Sequence, residues 1–186
     1  NDTSTDFGGT TALALLSVRQ FRARGLRVVY ICGDSGENPE LAGLGVEVVA
    51  AGSAELLKLS FAKAFVNGIY NSAARDLVAR YIAENDDPDT VYHVHGWAQI
   101  LSPAIFSALA PVAARCFFHA HDMFLACPNG VYMDYKHRDV CHRRPLSLSC
   151  VLCNCDKRSY FQKGWRVMRH TSLAQTLDLR HPWAGI

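Results

Sequence analysis

The chain has 186 residues, 49% of them hydrophobic, and a formal net charge of only +2. This is enough for one domain with a core of its own, so the fold does not depend on disulfides. The longest apolar runs, such as residues 104–114, are too short to cross a bilayer, which takes roughly 20 residues, and the N-terminus carries no secretory signal pattern. We therefore expect a cytoplasmic protein.

The first predicted element is a helix over residues 10–24, which ends at Gly25 and is preceded by the pair Gly8-Gly9. Glycine-rich turns of this kind usually follow the first strand of a nucleotide-binding βα unit. Residues 1–5 are too few and too polar to form that strand. We expect the first strand to be absent from this chain.

Four strands follow, each short and apolar, and helical patterns lie between them. The strands are predicted at residues 26–32, 46–50, 91–95 and 115–119. A helix is predicted at 69–83, and Phe161, Trp165 and Met168 mark another. Apolar strands that alternate with helices are typical of a parallel sheet covered on both faces. The sequence therefore predicts an α/β domain with a doubly wound, mainly parallel, Rossmann-like sheet.

Residues 122–158 interrupt this pattern as a cysteine-rich loop with little regular structure. Residues 119–160 hold five of the seven cysteines and four of the eight histidines. A long irregular segment is usually functional or tied down. The cysteines have three possible roles: structural zinc ligands, buried or free thiols, or a disulfide or redox pair formed by the Cys150/Cys153 CxxC.

Positive charge is concentrated in residues 122–170, where nine Lys and Arg residues face four Asp and Glu residues. This excess could serve an anionic ligand or membrane headgroups, or it could be a solvated basic face. Lys163, Arg166 and Arg169 could form a basic face on the last predicted helix, or that helix could be an ordinary packed one.

Several motifs together resemble the N-terminal domain of family-four glycosyltransferases, which are retaining enzymes of the two-domain GT-B fold. In chain order, the matching motifs are Gly8-Gly9, His93-Val94-His95-Gly96-Trp97, His121-Asp122, Cys127-Pro128-Asn129-Gly130, Cys141, Ser149-Cys150, Asn154-Cys155 and Arg158-Ser159-Tyr160. The cysteines resemble those of a subgroup in which this loop carries them. The resemblance covers nearly the whole chain.

The resemblance implies that the domain, residues 1–186, is the acceptor-side half of an enzyme that moves a sugar, with retention, from a nucleotide sugar to a glycan or lipid-linked acceptor. With the basic residues of 122–170, such an acceptor leads us to expect peripheral contact with the inner face of a membrane, and we expect no nucleic-acid partner. In such enzymes a C-terminal Rossmann-like domain holds the donor, and residues 1–186 leave no room for it. We therefore expect the fragment alone to be inactive.

The resemblance also implies roles for individual residues. His121 would face the donor sugar and Asp122 would orient its imidazole, although an Asp-His capping pair is the alternative. The residues expected to contact substrate are Gly8, Gly9, Thr10, His95, Asn129 and Arg158. Gly8-Gly9 could instead form a tight turn, and His95 could be structural.

Cys127, Cys141, Cys150 and Cys155 match the subgroup pattern and could close a tetrahedral zinc site, with Cys153 as an extra thiol. Their spacing is not that of a standard zinc finger, and His142 or His137 could replace one thiolate.

Two other functions are compatible with the sequence. A stand-alone metal- or nucleotide-binding Rossmann-like module would have no transferase activity. An oxidoreductase using Cys150 and Cys153 is disfavoured, because Gly8-Gly9 lacks the G-x-G-x-x-G spacing and the CxxC pair is predicted in a loop rather than at a helix start.

Overall fold

The computed structural model describes residues 1–5, 8–178 and 180–185, with the side chain of Leu57 excepted. The glycine pair therefore lies within the described residues, whereas the adjoining Asp6 and Phe7 lie outside them. The chain is a mixed α/β protein in which short parallel strands alternate with helices. No helix among the described residues is long and apolar enough to cross a membrane.

The four predicted strands are present and pair in two parallel sheets. Strand β1 (Val29–Cys32) pairs with β2 (Glu47–Ala50), and β3 (Tyr92–Val94) pairs with β4 (Cys116–Phe118). These pairs form two separate two-stranded sheets rather than one continuous sheet in the described part of the chain.

Helices connect the strands, some of them where the sequence pattern indicated. The α-helices are α1 (Gly9–Ala23), α2 (Pro39–Gly43), α3 (Phe61–Ile69), α4 (Ser72–Asn85), α5 (Ala104–Leu109), α6 (Leu148–Leu152) and α7 (Tyr160–Thr176). Short 3-10 helices lie at Leu56–Lys58 and Ala110–Arg115. The single helix predicted at 69–83 is α4, which begins three residues later at Ser72 because the Asn71 side chain caps it.

Residues 1–5 form no strand, but they are firmly attached to both sheets. The Gly33 amide after β1 donates to the Asp2 carbonyl at 3.0 Å, and the Gly96 amide after β3 donates to Asn1 Oδ1 at 2.8 Å. The buried Asp2 carboxylate accepts hydrogen bonds from the amides of residues 99–101, each at 2.8–2.9 Å. This segment therefore fixes the carboxyl ends of β1 and β3 relative to each other.

The core has two parts. The larger is built on β3, β4, α4 and α5, and its centre is Phe106, which makes edge-to-face contacts with Trp97 and Phe118 at ring-centroid distances of 5.3 Å. The smaller packs α1 against β1 and α2.

The cysteine-rich segment has little regular structure, as predicted. It contains only the two-residue strands β5 (Met133–Asp134) and β6 (Asp139–Val140), which pair antiparallel, and the short helix α6. Cys150 lies on α6 and Cys153 directly follows it, so the CxxC pair is on a short helix and not wholly in a loop. The Cys153 Sγ contacts the buried Asp134 carboxylate at 3.5 Å.

Candidate active site

A cleft of about 800 Å³ lies where β3 and β4 end and α1 begins. Ligands of open parallel sheets bind at this end of the strands. Of the predicted site residues, it is lined by Gly8, Gly9, Thr10, His95, His121, Asp122 and Arg158.

Four histidines cluster at the same strand ends. His93 and His95 lie on and just after β3, and His119 and His121 follow β4. The ring centroids of His93 and His95 are 4.2 Å apart, and those of His119 and His121 are 4.3 Å apart. The two pairs adjoin, with 5.1 Å between the centroids of His95 and His119.

The strand register explains this cluster. His93 is aligned with Phe117 and Val94 with Phe118, so His95 comes to lie beside His119. The His119 amide also donates to the Val94 carbonyl at 2.8 Å, which extends the pairing by one residue. Because alternate side chains of a strand share a face, each H-x-H motif presents both imidazoles on one face.

His121 is paired with another histidine. Its Nε2 lies 3.0 Å from His95 Nδ1, whereas the neighbouring Asp122 carboxylate accepts the Phe124 amide at 2.9 Å. In the described part of the chain, the partner positioned to orient the His121 imidazole is thus His95 rather than Asp122.

Burial favours the neutral form of three of these imidazoles, those of His93, His95 and His121. It lowers the pKa of His95 to about 3, with a further contribution from His93, and it lowers the pKa of His93 and of His121. A neutral imidazole can donate one hydrogen bond and offer a lone pair from its other nitrogen.

The N-terminus of α1 faces the cleft through Gly8 and Gly9. Space is open where a Cβ would lie on either residue. Gly96 is tighter: a Cβ there would come within 2.8 Å of Asn1 Oδ1 and 3.2 Å of Thr10 Cγ2. The end of β3 can therefore approach α1 closely only with glycine at this position.

Arg169, considered from the sequence only as part of a basic helix face, lies at the cleft. The side chain lines the cleft, is buried, and donates to the Ala98 carbonyl at 2.9 Å. Its guanidinium carbon lies 4.6 Å from the ring centroid of Phe124, 5.2 Å from that of Trp165 and 5.7 Å from that of Trp97. Burial lowers its pKa to about 10, so it is a cation at neutral pH.

The basic residues of α7 face inward, so they do not form the exposed basic face considered from the sequence. Lys163 is 1% exposed and Arg169 is 6% exposed, while Arg166 pairs with Asp156 at 3.0 Å. The pattern of basic residues on a helix could not show which side would pack.

The four predicted zinc ligands lie around one small cavity in the cysteine-rich segment, together with Lys163. The Lys163 ammonium contacts Cys155 Sγ at 3.3 Å and Cys150 Sγ at 3.6 Å. Burial alone would lower the Lys163 pKa, but the two sulfurs hold it above its usual value. The thiols thus share a cavity, and their zinc site stays a prediction.

Asn129, predicted to bind substrate, lies with these cysteines and does not line the cleft. Its Nδ2 donates to the Cys155 carbonyl at 2.9 Å and contacts Cys155 Sγ at 3.1 Å. The Asn129 carbonyl accepts from Arg166 on α7 at 3.2 Å. Its position indicates a role in joining the loop to α7.

Among the described residues, one group of side chains has ligand atoms close enough together to hold a metal ion. It consists of His93, His95 and His119, whose ring nitrogens lie within 4.8 Å of one another. The sequence motifs indicated His95 as a single candidate residue and did not place the two H-x-H motifs side by side. The repeated spacing after neighbouring strands was the available signal.

Comparisons of this chain with models of protein families, with curated proteins and with solved structures found no match.

Proposed function

We propose that this chain is the acceptor-side domain of a retaining glycosyltransferase, which transfers a sugar from a nucleotide sugar to a glycan or lipid-linked acceptor. The observation that carries the proposal is the convergence of the paired His95 and His121, the Gly8-Gly9 helix start and the Arg169 cation on one cleft. These groups come from four separate parts of the chain.

The fold proposed for this domain is one half of the GT-B architecture, with both parallel pairs belonging to one doubly wound sheet. The contacts of Asn1 and Asp2 support this arrangement, because these residues bridge the ends of β1 and β3. The GT-B resemblance implies that a second Rossmann-like domain holds most of the donor.

The cleft offers several groups that can contact an anionic substrate, although Asp2, Glu55 and Asp122 also line it. These groups are Arg158, Arg169 and the N-terminus of α1, which is the positive end of the helix dipole. A diphosphate-linked donor carries negative charge next to the sugar that is transferred, so these groups would stabilise it during departure.

In this mechanism, neutral His121 donates a hydrogen bond to the donor sugar or to charge that develops beside it. His95 orients the His121 imidazole through the 3.0 Å contact between His95 Nδ1 and His121 Nε2. Attack and departure then occur on one face of the sugar, and the donor phosphate takes the acceptor proton. His121 therefore positions and stabilises, and it does not need to act as the general base.

An aromatic group at the edge of the cleft offers an acceptor surface. Phe61 and Phe65 of α3 and Phe161 of α7 lie with ring centroids 6.0–6.4 Å apart, and all three line the cleft. Phe61 is 71% exposed. Such rings can stack on sugar faces or contact the lipid of a lipid-linked acceptor at the inner face of a membrane.

The test is a transfer assay on the full-length protein with UDP- and GDP-linked hexoses as donors. Free oligosaccharides and lipid-pyrophosphate-linked sugars serve as acceptors, and proton NMR measures the anomeric configuration of the product. We expect a product with the configuration of the donor. Binding of nucleotide sugar without transfer would instead support the stand-alone binding module, and an inverted product would overturn the proposed mechanism.

A further inference from the structure

We propose that His93, His95 and His119 bind a divalent first-row transition-metal ion at the carboxyl ends of β3 and β4. Their ligand nitrogens already lie within 4.8 Å of one another. This inference goes beyond the proposed sugar transfer, in which no step is assigned to a metal.

The backbone holds the three ligands in place. His93 and His95 are two residues apart on one strand face, and the parallel register sets His119 directly beside His95. The ring centroids of His93 and His119 are 5.8 Å apart. No loop has to reorganise to bring these three imidazoles together.

Only small side-chain movements are needed to close the site. Tetrahedral zinc with zinc–nitrogen bonds of about 2.0–2.1 Å requires ligand nitrogens about 3.3–3.4 Å apart. His95 is buried and fixed, whereas His93 and His119 are exposed, so their rings are free to turn toward an ion.

The ligand set determines the class of metal. Three imidazoles suit Zn²⁺, Co²⁺, Ni²⁺ or Cu²⁺, whereas Mg²⁺ and Ca²⁺ prefer oxygen ligands. Three protein ligands also leave a coordination position open, as in catalytic rather than structural zinc sites. His95 and His119 line the cleft, so the open position would lie next to His121.

Cobalt distinguishes this site from the cysteine cavity. Co²⁺ bound by thiolates has an intense sulfur-to-metal absorption in the near ultraviolet, which Co²⁺ bound by imidazoles lacks. The protein is purified without a histidine tag, and Co²⁺ is then added. We expect visible absorption from bound Co²⁺, at least part of which is not accompanied by the thiolate band in the near ultraviolet.

His93→Ala and His119→Ala alter exposed side chains and so should fold normally, which circular dichroism checks. Each should weaken the imidazole-type cobalt site by more than about 100-fold, because losing even an outer partner of a ligand costs 10–100-fold. The control His181→Ala, which removes an exposed histidine outside the cluster, should leave binding unchanged. Absence of the imidazole-type signal, or its persistence in both cluster variants, would overturn the proposal.

Discussion

Arg169 is a buried cation surrounded by the rings of Phe124, Trp165 and Trp97. Removing a guanidinium from water is costly. The rings, the Ala98 carbonyl and nearby carboxylates offset only part of that cost, because burial still lowers the Arg169 pKa. A bound anion would supply the remaining compensation. At the scale of single residues, this is the strongest sign that the cleft accepts a negatively charged ligand.

A substitution at Gly9 tests ligand access to the cleft without disturbing the fold. It is the first residue of α1, and a Cβ added there meets open space. We expect Gly9→Ala to leave the free energy of unfolding unchanged or to raise it by up to about 1 kcal/mol through helix propensity. In the full-length protein, KM for the nucleotide sugar should rise about tenfold or more, because the methyl group occupies space over the helix start.

Gly164→Ala is the matched control, since Gly164 is also helical and also open at its Cβ position, but does not line the cleft. Its KM should be unchanged. An unaltered KM for Gly9→Ala would show that no ligand approaches this turn.

Part of the cleft could be predicted from motifs and their positions in the sequence, because Gly8, His95 and His121 occupy loops next to regular elements and Gly9 begins a helix. Arg169 could not be predicted in this way. Its exposed or buried orientation depends on how α7 packs against the rest of the chain, and a helical repeat does not reveal that. The His95–His121 contact depends on strand register, which hydrophobicity does not specify.

The contact between α3 and α7 forms one wall of the cleft. Trp165 Nε1 of α7 donates to the Phe65 carbonyl of α3 at 3.0 Å, and the Trp165 ring lies against Gly68. A Cβ at Gly68 would overlap that ring and come within 3.0 Å of Leu56. The close approach of these helices therefore depends on glycine at this position.

We expect Gly68→Ala to lower the free energy of unfolding by about 1–3 kcal/mol, as overpacking does, despite the higher helix propensity of alanine. Denaturant unfolding measures the change. Gly164→Ala, on the facing helix but with open space at its Cβ, should be neutral or stabilising. Equal effects of the two substitutions would contradict the packing described here.

Elements with a clear sequence signal were the ones that could be predicted. The four strands stand out as short apolar runs, and α1, α4 and α7 follow hydrophobic repeats of helical period. Helix α3 lies in a stretch for which the sequence analysis made no assignment, and α5 has five buried residues of six, so it shows no amphipathic period. Helix α2 spans five residues, and its signals were the Asn38 cap and Pro39.

At the scale of the whole molecule, Asp2 joins the two parallel sheets. Its carboxylate accepts three amide hydrogen bonds from residues 99–101, and its carbonyl accepts one from Gly33. No sequence pattern identified this role, because the three donors lie almost one hundred residues away.

Asp2→Ala should reduce the free energy of unfolding by at least about 3 kcal/mol, since buried amides would lose their acceptor. Asp2→Asn keeps one oxygen and should cost less. Urea unfolding followed by circular dichroism measures both. A loss below about 1 kcal/mol for Asp2→Ala would mean that the turn after β3 does not depend on this carboxylate.

The central claim is that His121 acts at the transition state of sugar transfer, and kcat of His121→Ala in the full-length protein tests it most directly. Removing a preorganised hydrogen bond of this kind should lower kcat by about 10²–10³, equivalent to about 2.7–4 kcal/mol, with folding little affected. His181→Ala should retain normal kcat. Near-normal kcat in His121→Ala, with activity lost in His95→Ala, would assign the role to His95; normal kcat in both would contradict the active-site assignment.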